Sequence, residues 1–170
     1  MPPRVVSLLS SATEIVRALG CRDWLVGRSH ECDYPADVRS LTVCSEPTID
    51  IHGTSREIDD RVKNSLRNAL SIYRVHAERL QELRPDVILT QTQCEVCAVS
   101  LSDVQEAVCK LIDSRPQIVS VEPQDLAGVW DSIRQIATAL NLAEQGAQLV
   151  SQLESRMGSI QERGNRSGRR

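Results

Sequence analysis

The stretch that most constrains the fold is "DVILTQ", Asp86 to Gln91. Val87, Ile88 and Leu89 form an unbroken apolar run of strand length, the pattern of a strand covered on both faces. Such a strand needs a helical layer above and below it. Its neighbours supply those layers. "RVVSLL" is a β-branched run followed at helical spacing by "SSATEIVRALG", with Ile15, Val16 and Leu19 on one side. Ser11 or Thr13 is placed to cap that helix and Gly20 to end it. "WLVGRS" reads as the next strand and "LTVCS" as a third, short one. The stretch from Ser55 to Pro85 carries apolar residues at 58, 62, 66, 69, 70, 72, 73 and 75, then at 80 and 83. That spacing predicts a helix broken near Tyr73 and closed by Pro85. "SLSDVQEAVCKLI" is an amphipathic helix with Ser102 or Asp103 near its cap, "QIVSVEP" is a strand, and "DLAGVWDSIRQIATALN" is a helix.

Strand and helix alternating through Asn141 predict an α/β fold: a three-layer, Rossmann-like lobe with a mostly parallel sheet and helices on both faces. The chain of 170 residues is long enough to bury a core without a metal or disulfide staple. It contains no Phe, so Leu, Val, Ile and Ala do nearly all the packing, which suits layered α/β architecture. A last helical segment, "LAEQGAQLVSQLESRMGSIQER", runs on for roughly 30 Å at 1.5 Å per residue. No further strand follows it. The organisation expected is therefore a ligand-binding lobe over residues 1–142, a long helix over 143–163, and a disordered basic tail over 164–170.

The net charge of -3 and the scattered arginines form no basic stripe, which excludes a nucleic-acid reader. No run approaches the twenty apolar residues of a membrane span. Ser10, Ser11, Thr13, Glu14 and Arg17 interrupt the first apolar run, which is unlike a secretory leader. The cytoplasm is the expected location, or the periplasm where a leader has been removed. Six cysteines, at 21, 32, 44, 94, 97 and 109, are then expected as thiols or ligands, with Cys21, Cys44 and Cys109 filling the core. His52 and His76 are expected to be solvent-facing or structural.

Ligands of open parallel sheets sit beyond the carboxyl ends of the strands. Ser11 and Thr13 follow the first strand, His30, Glu31, Cys32 and Tyr34 of "SHECDYP" the second, Gln91 and the loop "CEVCAVS" the best strand, and Glu122 the last. One shared crevice is the expectation. Two chemistries remain open for it. Cys94 and Cys97 form a C-x-x-C pair that, with Cys32 and His30, has the donors of a tetrahedral transition-metal site. Alternatively the cysteines line a loop as small hydrophobes, and His30 is a hydrogen-bonding residue. Tyr34 is placed to stack on a planar ligand. There is no G-x-S-x-G elbow, G-x-G-x-x-G or P-loop, and no catalysis is expected.

"RVVSLLSSATEIVRALG", "LVGRSHECDYP", "REID", "SIYRVHAERLQELRPDVILTQTQCEVCAVS" and "IVSVEPQDL", in this order, resemble the cobalamin-binding-protein branch of the class III periplasmic-binding-protein-like family. This is the helical-backbone metal receptor superfamily. The resemblance covers Arg4 to about Glu162. It implies a non-enzymatic substrate-binding component of an ABC importer for cobalamin or another metal chelate. It also implies two lobes joined by one rigid helix, of which this chain carries the first lobe and the helix. Ser11, Thr13, His30, Glu31, Tyr34, Gln91 and Glu122 are then the ligand-facing residues. Weak binding by a lone lobe, and a possible homodimer through the exposed lobe face, are further expectations. The competing readings are a cytosolic thiolate metal or redox protein using Cys32, Cys94 and Cys97, and an interaction lobe that no longer binds ligand.

Overall fold

The computed structural model describes residues 1–67, 71–91, 101–111 and 115–166, leaving the side chains of residues 66, 165 and 166 undescribed. Five parallel strands form the main sheet: β1 (Val5–Ser7), β2 (Leu25–Arg28), β3 (Thr42–Val43), β6 (Val87–Gln91) and β7 (Gln117–Val121), in the order β3-β2-β1-β6-β7. Strand β6 lies between β1 and β7, with Val87 opposite both Val5 and Gln117. All five of its residues are buried, as its apolar run requires.

Alternation along the strands sends successive side chains to opposite faces. Val5, Val87, Leu89, Val119 and Val121 meet residues of α1 (Ser10–Ala18) and α5 (Leu126–Ala139) on one face. Val6 and Ile88 meet Leu80 of α3 (Ala77–Leu83) and Val104 and Ala107 of α4 (Leu101–Cys109) on the other. Two cores back to back on one sheet make the three-layer α/β lobe that the sequence pattern predicts.

Several local expectations are corrected. Helix α1 begins at Ser10 with Leu9 as its N-cap, so neither Ser11 nor Thr13 caps it, and no side-chain cap bond forms. Its end follows expectation: Gly20 sits at φ +80°, with Gly20 N–H donating to Arg17 O and Cys21 N–H to Val16 O. This is the Schellman arrangement, and a residue with a Cβ would be strained at that φ. Cys109 is exposed rather than core-filling, whereas Cys21 and Cys44 are buried.

The predicted helix over Ser55–Pro85 is three elements. Helix α2 spans Ser55–Arg67 and opens on a capping box, in which Thr54 Oγ1 accepts from Glu57 N at 3.3 Å and Glu57 Oε2 accepts from Thr54 N at 2.7 Å. Tyr73–Val75 is strand β5, antiparallel to β4 (Ser45–Pro47), with Ser45 opposite Val75 and Pro47 opposite Tyr73. The helical spacing around Tyr73 is real, but cross-strand pairing overrides it across three residues. Helix α3 then ends at Leu83, with Arg84 in the left-handed cap and Pro85 beyond.

Helix α6 runs from Ala143 to Arg166, three residues further into the arginine-rich end than the predicted 143–163. Residues 167–170 of the expected tail lie outside the described residues. α6 returns antiparallel along α5, touching it where Gly146 meets Ala137 and Ile133. With 24 residues against 14, it is longer than its partner by about 15 Å.

Candidate ligand-binding edge

The parallel strands bring their carboxyl ends to one edge, and β1, β2 and β7 each release a loop there. The loop after β2 is fastened at its root. Ser29 N–H donates to Ser7 O at 2.8 Å, and Cys44 N–H to Arg28 O at 2.7 Å. The Arg28 guanidinium reaches three carbonyls, those of Ser29 at 2.9 Å, Arg39 at 3.3 Å and His30 at 3.4 Å, while its buried Nε has no partner among the described residues.

The β4–β5 ribbon completes the site, and it could not be foreseen from the strand-end rule. Pairing of β4 with β5 carries Ser45 and Tyr73 to the loop. Ser45 Oγ lies 3.0 Å from His30 Nδ1, accepts from His30 N–H at 3.3 Å and donates to Ser29 Oγ at 3.1 Å. Ser29 Oγ in turn accepts from Glu31 N–H at 3.3 Å. The Tyr73 ring packs on the His30 ring at 5.4 Å between centroids, and its hydroxyl donates to Glu31 Oε1 at 3.4 Å. Ser10 Oγ donates to Glu31 O at 3.1 Å, joining the β1 loop to the β2 loop. Burial lowers the His30 pKa below its ordinary value; Glu31 and Glu46 oppose the shift and Arg28 adds to it. The imidazole is therefore neutral at pH 7, with a lone pair on one ring nitrogen.

The remaining candidates fall into two groups. Thr13 and Cys32 are fully buried beneath the edge: Thr13 Oγ1 donates to Leu9 O at 3.3 Å, and Cys32 Sγ points to Ser7 O at 3.8 Å. Burial pushes the Cys32 thiol up, against smaller opposing effects from the Thr13 hydroxyl and the Ser29 backbone. Ser11, Tyr34 and Glu122 are exposed on the edge, Tyr34 at 66%, and Gln91 sits nearly buried at the end of β6. Cys94 and Cys97 lie outside the described residues. Among the described residues no group of three or more His, Cys, Asp or Glu is placed to hold a metal ion.

A cavity of about 520 Å³ lies between β5, α3 and α4, and shares Tyr73 with the site. Another, of about 440 Å³, lies between β7 and α5 and shares no residue with the site. His76 is structural, as expected, preceding α3 with Nε2 3.7 Å from Glu46. Sequence reasoning missed Tyr73, Ser45 and Ser29. The scarcity of aromatics, with two Tyr in the chain, was the one signal that could have drawn attention to Tyr73.

Residues 5–170 match the periplasmic binding protein family profile. The chain belongs to that family. Within it, the surrounding relatives are helical-backbone metal receptors, as the sequence resemblance implies. The uncharacterized ABC transporter substrate-binding lipoprotein YvrC of Bacillus subtilis is 25% identical over 95% of this chain and 42% of its own length. The vitamin B12-binding protein of Pectobacterium atrosepticum is 24% identical over 95% of this chain and 46% of its own length. Among solved structures, the periplasmic heme-binding protein RhuT from Roseiflexus sp. RS-1 superposes with a TM-score of 0.64 at 21% identity, covering 98% of this chain and 51% of that one. The vitamin B12-binding protein BtuF of Vibrio cholerae gives 0.61 at 19% identity, covering 95% and 51%. At these identities the structures speak to fold alone. The chain spans about half the length of the relatives it matches. These periplasmic binding proteins are named as periplasmic or as lipoproteins, so the expected cytoplasmic location finds no support among them. Among the described residues, no helix is long and apolar enough to cross a membrane.

Proposed function

We propose that this periplasmic binding protein chain is the ligand-binding lobe of an ABC-importer substrate-binding component whose cargo is a metal chelate of the corrinoid or haem class. The observation that carries the reading is the His30 cluster on the carboxyl edge. A neutral imidazole, with one ring nitrogen lacking a partner among the described residues, is braced by the Tyr73 ring at 5.4 Å between centroids, and the exposed Tyr34 lies four residues along the same loop. The names of relatives that bind vitamin B12 or heme support the choice of class.

Residues 1–142 form one wall of the proposed cleft and α6 is the beam leading to the other wall. Half a cleft supplies about half the contact while the full entropy of association is still lost, so binding by this chain alone is weak. Absorbance titration with cyanocobalamin, aquocobalamin and haemin tests the reading. Saturable spectral change with one of them, weakened in His30→Ala and Tyr34→Ala, is expected. Indifference to all three, at concentrations up to about 1 mM, where a weak one-lobe complex still registers, contradicts it.

A further inference from the structure

The loop that carries His30 leaves β2 after Arg28 and rejoins the sheet at Thr42, in β3. Its two limbs are fastened to different neighbours. The outgoing limb holds to the loop after β1 and to β5, since Glu31 O accepts from Ser10 Oγ at 3.1 Å and Glu31 Oε1 from the Tyr73 hydroxyl at 3.4 Å. The returning limb holds to α1 and the turn after it: Arg17 Nε donates to Asp37 Oδ2 at 3.2 Å, and Arg22 Nη2 to Asp37 O at 3.0 Å. Backbone bonds inside the loop are local turns, from Cys32 N–H to Ser29 O, Val38 N–H to Pro35 O and Leu41 N–H to Val38 O, and none among the described residues crosses between the limbs. The crossing is made by a side chain. Arg28 donates from Nη1 to Ser29 O at 2.9 Å and His30 O at 3.4 Å, and from Nη2 to Arg39 O at 3.3 Å. A guanidinium only donates and a carbonyl only accepts, so the direction of each bond is fixed.

We propose that Arg28 is a positioning residue for cargo: its guanidinium ties the outgoing limb of the loop to the returning limb and so fixes where His30 stands on the edge. Arg28 acts through His30 rather than on cargo. Arg39 adds an outer crossing, with Nε donating to Asp33 O at 2.9 Å, but its side chain is 62% exposed, so the partly buried Arg28 fork is the stronger tie. The arginine also carries a cost. Its Nε is buried with no partner among the described residues, which an apolar side chain of the same length would avoid. Stability alone therefore does not account for an arginine at this position, whereas a fork that spans three carbonyls does, and a lysine ammonium has no such fork. The cargo half of this inference rests on the chelate-binding reading, whereas the loop half stands on geometry alone.

The two halves are separated by measuring the loop first, in the cargo-free chain, by amide hydrogen exchange read residue by residue. Arg28→Met keeps an unbranched side chain and removes every tie. The amides of Cys32, Val38 and Leu41 are expected to exchange about fivefold faster or more, while those of Ile88 and Leu89 in β6 keep their wild-type rates. A merely structural role would not give that split. Arg28→Lys keeps the charge without the fork and is expected to loosen the same amides; it decides the matter should Arg28→Met not fold. Loop amides unmoved in both variants overturn the inference, and so does acceleration of loop and β6 amides together. Cargo is then read by absorbance titration with haemin and aquocobalamin. The Arg28 substitution is expected to weaken whichever chelate binds about fivefold on its own, and less than about twofold when added to His30→Ala, because the side chain it places is already gone. The same loss with and without His30 overturns the positioning step. Failure of both chelates to bind contradicts the chelate reading and the positioning step, and leaves the exchange result standing.

Discussion

The two halves of α6 share one helix and one apolar stripe, yet the fold uses them differently. Over the first half, Gly146 and Val150 are buried against α5, and the absence of a Cβ at Gly146 lets the two helices approach closely. Past Leu153 the stripe continues through Met157 and Ile160, which are 45% and 58% exposed. From Glu154 to Arg163 every residue is exposed. An isolated helix of that length is marginal in water, so its order is borrowed from the packed half. The contrast teaches that α6 has two environments: its first half seals this lobe, and its second half carries the same apolar stripe exposed.

Mutations along the stripe can break that contrast, and the largest effect belongs to the packed half. A Cβ at position 146 would lie 2.5 Å from Ala137 Cβ, so Gly146→Val forces α5 and α6 apart. A loss of about 3 kcal/mol in urea unfolding is expected. Val150→Ala, at a buried position in the same seam, costs about 2 kcal/mol by the same measurement. Losses as large from Ile160→Ala would erase the distinction.

Alkali probes the packed body in another way. Burial pushes the Cys44 thiol from 9.0 up to about 11, so the folded state holds a proton that the unfolded state gives up. Stability from this source is complete below pH 9 and is lost as pH rises toward 11. By pH 10 the loss is about 1.4 kcal/mol, and it is absent in Cys44→Ala. The smallest effects belong to the exposed half. Met157→Ala and Ile160→Ala are expected to change the stability of this chain by no more than about 0.5 kcal/mol. Their cost should appear only when a second lobe is supplied.

Much of the fold was legible because burial writes itself as pattern. The Val87–Leu89 run located an interior strand, and the periodicity after Asp125 located α5, which Asp125 Oδ1 caps by accepting from Gly128 N–H at 2.8 Å. The β4–β5 ribbon was not legible. Tyr73–Val75 is three residues long, sits in a helical spacing, and is a strand only because Ser45–Pro47 lies beside it. The site divided along the same line. His30 could be placed at the edge by the strand-end rule, since that rule depends on local order alone. Ser29, Ser45 and Tyr73 could not, because a serine acquires its role from a partner brought by tertiary pairing. Cys32 shows a further limit of the rule: the motif put it on the loop after β2, and the depth at which it is buried beneath the edge could not be read from the sequence.

The central claim is that the His30 edge receives a metal chelate. Its most direct test is a difference-spectrum titration of the wild type and His30→Ala with haemin and aquocobalamin in parallel, with Cys109→Ser, at an exposed thiol on α4, as the remote control. The account predicts saturable binding of one chelate, unchanged in Cys109→Ser and weakened at least tenfold, about 1.4 kcal/mol, in His30→Ala. Equal affinity in all three proteins, or no binding in any, would contradict it.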